Sequence, residues 1–155
     1  MTEIRFYHLE RSTLESVLSR MLELVLERGQ RALVLLGSKE RLEAVNAWLW
    51  TYGKESFLPH GVPEDGFSAD QPVLLASADQ PAAATNANNA EVLFLADGAR
   101  TDELARFKQC VELFDGSDEA AVTAARERWR GYKEAGHQLT YWRQTGEGWK
   151  QEAEG

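Results

Sequence analysis

Cysteine and histidine, which supply many of the transition-metal ligands in proteins, are scarce in this sequence of 155 residues. The single cysteine, Cys110, cannot form an internal disulfide, and one thiol cannot build a thiolate metal site. The three histidines, His8, His60 and His137, lie far apart and form no His-x-x-x-His pair. We therefore expect no metal and no other cofactor, although scattered histidines can still converge in a folded chain.

The sequence also lacks a glycine-rich phosphate-binding motif. A phosphate loop needs several glycines, whose backbone amides approach the phosphates closely, and a lysine that neutralises them. The segment LLGSKER contains Gly37, Ser38 and Lys39 but not the required preceding glycine, and no Gly-x-Gly-x-x-Gly follows any apolar run. A Gly-x-Ser-x-Gly nucleophile motif is missing too. These absences give no support to an enzyme but do not by themselves exclude one.

Long apolar runs and an excess of basic charge are missing as well. No run approaches the roughly 20 residues that span a bilayer, and the first ten residues do not resemble a signal peptide. We therefore expect a cytoplasmic protein without membrane contact. The net charge of -8 argues against direct nucleic-acid binding, because that affinity comes mostly from neutralising phosphates with a basic surface.

Apolar runs and helical periodicity alternate along the chain, and its length fits one domain. In order, we predict a strand at 3–9, a helix from Thr13 to about Glu27, a strand at 31–37, a helix at 39–53, strands at 72–77, 91–97 and 110–116, a helix from a Ser117 cap to about Ala135, and a strand at 137–144. This order predicts a single three-layer α/β domain over residues 1–144, with a mainly parallel sheet, Rossmann-like but without a phosphate loop. Residues 145–155 are predicted to form a polar C-terminal tail.

One aromatic residue on the second predicted helix does not fit its apolar stripe. The stripe recurs every three or four residues from Leu42 to Tyr52, whereas Trp50 falls on the face that should meet water. A large aromatic side chain in that position is a candidate anchor for a binding partner. Alternatively, the segment 56–61, SFLPHG, folds back and covers it.

The most unusual stretch is RERWRGYK at residues 126–133, on the last predicted helix. Helical spacing places Arg126, Arg130 and Lys133 in one stripe beside Trp129. Cations bordering an aromatic ring suit an anionic group on an apolar body, such as the terminal carboxylate of a peptide next to an aromatic side chain. The alternative is a solvated basic face paired with the neighbouring glutamates.

Three segments resemble a known family in their order and spacing. FYHL, AWLWTYGKESFLPHG and ARERWRGYKEAGHQL look like the chi subunit of the bacterial DNA polymerase III holoenzyme, and the similarity extends to about Trp142. The resemblance implies a non-catalytic accessory subunit of the clamp loader. Such a subunit binds psi on one side and the acidic C-terminal tail of single-stranded DNA-binding protein on the other. The alternative is a nucleotide-binding protein or enzyme on a Rossmann-like fold.

The resemblance also implies two sets of binding residues. For the tail of single-stranded DNA-binding protein, which ends in Asp-Phe-Pro-Phe, they are Arg126, Trp129, Arg130, Lys133, Leu139 and Tyr141. For psi or a helicase-like partner, they are Trp50, Phe57 and Pro59. The segment 61–90 matches the family poorly.

Overall fold

The computed structural model describes residues 2–51, 59–63, 70–77, 88–145 and 148–154. In chain order, its elements are β1 (Glu3–Leu9), α1 (Leu14–Glu27), β2 (Ala32–Leu36), α2 (Lys39–Thr51), β3 (Val73–Ser77), β4 (Val92–Ala96), a short 3-10 helix (Leu104–Arg106), β5 (Gln109–Asp115), α3 (Glu119–Glu134), β6 (Gln138–Thr145) and β7 (Gly148–Glu154). Within these residues the strands form one sheet in the order β3-β2-β4-β5-β1-β6-β7. All neighbouring pairs are parallel except β6 and β7.

The sheet has helices on both faces. Every residue of β2, β3 and β4 is buried, as expected for parallel strands covered on both sides. Helices α1 and α2 pack against one face, where Leu22 and Val45 belong to the same apolar cluster as Val34. Helix α3 packs against the other face, where Ala125 meets Phe6. The predicted three-layer α/β fold is therefore confirmed.

Two helix N-termini can be compared with the cap residues that the sequence predicts. Thr13 caps α1 as expected, because its Oγ1 accepts a hydrogen bond from the Ser16 amide at 3.2 Å. The predicted cap of α3, Ser117, is wrong: Asp118 is the cap, and its Oδ1 accepts from the Ala120 amide at 3.0 Å. Ser117 instead donates its amide and hydroxyl to an Asp115 carboxylate oxygen, which fixes the preceding turn.

The predicted polar tail contains an ordered strand in the structure. Residues Gly148–Glu154 form β7, which pairs antiparallel with β6 at the edge of the sheet. Its side chains are mostly exposed, so the sequence lacks the alternation that marks a half-buried strand. Trp149 is partly buried, with its ring centroid 5.0 Å from that of Tyr7. Cross-strand pairing and this aromatic contact therefore help to hold β7 in place.

The connections out of β1 and β5 run to opposite faces of the sheet. These strands are neighbours and parallel. The chain leaves β1 for α1 on one face and leaves β5 for α3 on the other. Adjacent strands whose connections diverge in this way open a crevice at their carboxyl ends, where Rossmann-like proteins bind ligands. We call this opening the switch-point crevice.

Candidate functional site

An aromatic cluster lies between α3 and the strands beneath it. Phe6 on β1 is fully buried, and its ring centroid lies 5.4 Å from that of Trp129, 5.9 Å from Tyr132 and 6.5 Å from Tyr141. Trp129 and Tyr132 project from α3, and Tyr141 projects from β6. Offset and edge-on contacts at these separations are favourable for aromatic rings. The cluster therefore fixes α3 over β6 and leaves Trp129 and Tyr141 only partly covered.

A cavity of about 380 Å³ opens beside this cluster, and we call it the α3–β6 pocket. The described residues that line it are His8, Ala125, Arg126, Trp129, Arg130, Tyr141, Arg143, Glu152 and Ala153. The structure thus brings together Arg126, Trp129, Arg130 and Tyr141, which the family resemblance implied for one peptide site. Two other selected residues lie outside this lining: Leu139 is fully buried, and Lys133 is exposed four residues after Trp129 on α3.

His8 lines the pocket although the sequence did not select it. Its Nδ1 lies 2.6 Å from the Tyr141 hydroxyl, and its Nε2 lies 3.2 Å from a Glu10 carboxylate oxygen without hydrogen-bond geometry. Burial, assisted by the nearby Arg143 charge, lowers the pKa of His8 below its usual value. A neutral imidazole can accept the Tyr141 proton at Nδ1 and so fix that ring in the wall. The sequence contained a signal that could have identified His8. It lies two residues after Phe6 on β1, so both side chains point to the α3 face of the sheet.

The pocket wall formed by β6 and β7 carries an ion-paired arginine. Arg143 Nε lies 2.8 Å from Glu10 Oε1, and Arg143 Nη1 lies 3.6 Å from Glu152 Oε1. The hydrogen bond to Glu10 and the two negative charges raise the pKa of the guanidinium. Two carboxylates therefore share one cation on this wall, opposite the exposed arginines of α3.

Arg128, in the middle of the basic stretch, points inward. It is 6% exposed, and its Nε donates to Glu112 Oε2 at 2.9 Å. The Tyr132 hydroxyl donates to the same oxygen at 2.8 Å. Burial raises the pKa of Glu112, although Arg128 and Tyr132 oppose that effect. This group is a structural tie between α3 and β5, whereas Arg126, Arg130 and Lys133 of the same stretch are exposed.

The second predicted surface is partly described. Trp50 is 55% exposed on α2, with its ring centroid 4.6 Å from that of His60. Pro59 is half-buried, whereas Phe57 lies outside the described residues. Trp48 and Leu24 are also exposed large apolar side chains. The described part of the segment 56–61 therefore contacts Trp50 through His60, yet more than half of the indole surface meets solvent.

The switch-point crevice has a volume of about 720 Å³, and three of its backbone amides already have a partner within the protein. The Gln144 side-chain oxygen accepts hydrogen bonds from three consecutive amides, those of Glu10, Arg11 and Ser12, at 3.2, 2.9 and 3.1 Å. Consecutive amides of this kind form the nests that hold phosphate oxygens in nucleotide-binding proteins. The first turns of α1 and α3 are capped by side chains from the same loops. The structure thus gives no support to nucleotide binding in this crevice.

The described residues also bear on two other kinds of function. No cluster of three or more histidine, cysteine, aspartate or glutamate side chains in that part of the chain is arranged to hold a metal ion. None of its helices is both long enough and apolar enough to cross a membrane.

The fold and the pocket define a Rossmann-like α/β domain with a cavity that combines aromatic side chains with arginines at its edge. The family model described as DNA polymerase III chi subunit, HolC, matches residues 1–140. This chain belongs to that family, which confirms the resemblance seen in its sequence. A curated relative, "Probable DNA polymerase III subunit chi" from Rickettsia prowazekii (strain Madrid E), is 25% identical over 114 residues. The match covers 74% of this chain and 66% of the relative. The chain thus spans just under two thirds of the length of this relative, and both descriptions name a subunit of DNA polymerase III.

Proposed function

We propose that this protein is a non-catalytic, cytoplasmic accessory subunit of the DNA polymerase III clamp-loader assembly. It binds the acidic C-terminal tail of single-stranded DNA-binding protein in the α3–β6 pocket. The observation that carries this proposal is the position of two exposed arginines, Arg126 and Arg130, on either side of the half-buried Trp129 at the pocket edge. The polymerase is thereby linked to protein-coated single-stranded DNA without competing for the DNA itself.

The pocket residues suit the separate parts of such a tail. Arg126 binds the terminal carboxylate, because a guanidinium offers two parallel hydrogen bonds to a planar anion. Trp129 and Tyr141, whose ring centroids lie 6.1 Å apart and nearly perpendicular, enclose the last phenylalanine. Arg130 and Lys133 continue along α3 toward the acidic residues of the tail. Leu139 supports the pocket from below, fully buried in the same apolar cluster as Trp129.

A second partner, psi or a helicase-like protein, is proposed to bind through Trp50, Phe57 and Pro59. The support is the exposure of Trp50 and Trp48 on α2, which is unusual for side chains of that size on a helix packed against a sheet. Helix α2 lies on the opposite face of the sheet from α3. The two partners would therefore not compete for space.

Calorimetric titration of an acidic peptide ending in Asp-Phe-Pro-Phe tests the tail site. We expect the wild type to bind with a Kd on the order of micromolar, about -8 kcal/mol, and to bind more weakly as salt is added. Arg126→Ala should weaken binding by roughly tenfold or more, because a charge-assisted hydrogen bond contributes about 1.5–3 kcal/mol. The matched control is Arg20→Ala, which removes the same charge from an exposed position on α1.

The same peptide with an amidated C-terminus isolates the role of the terminal carboxylate. It should bind the wild type about as weakly as the acidic peptide binds Arg126→Ala, and the variant should lose little further affinity for it. If the wild type does not bind, or if Arg126→Ala binds as tightly as Arg20→Ala, the proposed tail site is wrong.

A further inference from the structure

The wall of the α3–β6 pocket opposite α3 is built by the β6–β7 hairpin, most of which lies beyond the segment that the family model matches. Residues 141–155 follow the matched range, and four of the described pocket residues, Tyr141, Arg143, Glu152 and Ala153, belong to them. This part of the pocket therefore lies outside the segment that the family model matches, although the sequence resemblance extends to about Trp142.

A β-bulge directs one hairpin side chain into the pocket. Ala153 pairs with Tyr141 and Gln151 pairs with Trp142, so Glu152 is an extra residue on β7 with no partner of its own in the β6–β7 register. Such a bulge bends the strand and re-aims the side chain at that position. Here the Glu152 carboxylate reaches Arg143, with the closest atoms 3.6 Å apart, and lines the cavity.

Because of the bulge, the two pocket walls differ in charge. On α3, Arg126 and Arg130 are exposed and lie outside the ion pairs found among the described residues. Beside the hairpin wall, Arg143 is shared between Glu152, which lines the pocket, and Glu10, which lies outside its described lining. These three groups together carry one net negative charge while His8 is neutral, and Lys150, the cross-strand partner of Arg143, lies outside the described lining. Without Glu152, Arg143 and Glu10 would form a balanced pair.

We propose that Glu152 is a specificity-determining residue of the α3–β6 pocket, which keeps Arg143 from binding the ligand and repels carboxylates from the hairpin wall. The pocket then accepts an anionic peptide in one orientation, with its terminal carboxylate on α3 and an uncharged group facing β7. This inference rests on the proposed peptide-binding function of the pocket. A peptide with an acidic side chain facing the hairpin should therefore bind less tightly. The pocket accepts a narrower set of peptide sequences than a uniformly basic site would accept.

The test compares Glu152→Gln with Glu154→Gln, a control on the same strand. Both variants remove one negative charge, so they change the overall electrostatic attraction of the protein equally, and Glu154 is an exposed residue outside the described pocket lining. Titrated with the acidic peptide at low salt, Glu152→Gln should bind about two- to fivefold more tightly than Glu154→Gln. Glu152→Lys should bind more tightly still.

A second peptide tests the proposed orientation of the bound peptide in the pocket. When the proline before the last phenylalanine is replaced by aspartate, the wild type should lose affinity, and Glu152→Gln should recover part of the loss while Glu154→Gln should not.

Equal affinities of Glu152→Gln and Glu154→Gln for both peptides, with Arg126→Ala still impaired, overturn this inference alone. Weaker binding by Glu152→Gln also overturns it, because Glu152 would then support the ligand. No binding by the wild type or by any Glu152 variant overturns the proposed function and this inference together.

Discussion

At the scale of single residues, neighbouring arginines of α3 have different roles. Arg128 is 6% exposed and forms a buried ion pair with Glu112, whereas Arg126 and Arg130 are exposed at the pocket edge. The sequence gives the helical phase of all three, and that phase predicts Arg126 and Arg130 on the face beside Trp129. It does not predict the partner of Arg128, since Glu112 comes from another element and the pair forms only when α3 packs on β5.

Arg128→Ala tests this difference by its effect on stability. It should lower the free energy of unfolding by about 3–5 kcal/mol, because it leaves the Glu112 carboxylate buried without a cation. Arg126→Ala, two residues earlier on the same helix, should change it by less than about 0.5 kcal/mol. Urea denaturation followed by circular dichroism measures both. Equal stabilities of the two variants would show that the buried pair does not tie α3 to β5.

His8 gives a second prediction at this scale. Because burial and the Arg143 charge lower its pKa, its NMR titration midpoint should lie below about 6.5, the value for an unperturbed histidine. The unfolded chain then binds a proton at higher pH than the folded protein does. The associated stability is fully present above about pH 6.5 and is lost as the pH falls toward the folded pKa.

The control for that prediction is His8→Gln. Between pH 7 and 5 the wild type should lose more stability than this variant, because the variant has no imidazole to protonate on unfolding. A His8 midpoint at or above that of an unperturbed histidine would contradict the neutral, buried imidazole in the pocket wall.

At the scale of elements, the sequence predicts those strands whose position follows from their own apolar pattern. Strands β2, β3 and β4 are short continuous apolar runs, and all their residues are buried as that pattern indicates. Strand β7 is different because only one of its side chains, Trp149, is appreciably buried. Its place depends on pairing with β6, a tertiary interaction that leaves little mark on the sequence of an edge strand.

The candidate site also has one half that the sequence predicts and one half that it does not. The α3 half, with Arg126, Trp129 and Arg130, follows from helical spacing together with the family resemblance. The hairpin half, with Arg143 and Glu152, depends on the register of β6 and β7 and on the bulge between them. Strand register is set by pairing and turn geometry, so spacing along the chain could not place Glu152 beside Arg143.

At the scale of the whole molecule, the distribution of charge matters more than its sum. The net charge of -8 disfavours contact with nucleic acid, whereas the exposed α3 arginines concentrate positive charge at the pocket edge, where the acidic tail is proposed to bind. The exposed tryptophans lie on α2, on the other side of the sheet. This arrangement suits the proposed adaptor, which holds the polymerase assembly on one face and the tail of single-stranded DNA-binding protein on the other.

The central claim is that the α3–β6 pocket binds the acidic tail, and amide chemical-shift mapping tests it most directly. The uniformly ¹⁵N-labelled protein is titrated with the peptide ending in Asp-Phe-Pro-Phe. We predict that saturable shifts concentrate on residues 125–133 of α3 and 139–143 of β6, while the amides of α2 around Trp50 stay unchanged. Saturable shifts confined to α2 or to the crevice residues near Arg41 and Gly98, or no shifts at millimolar peptide, would contradict the account.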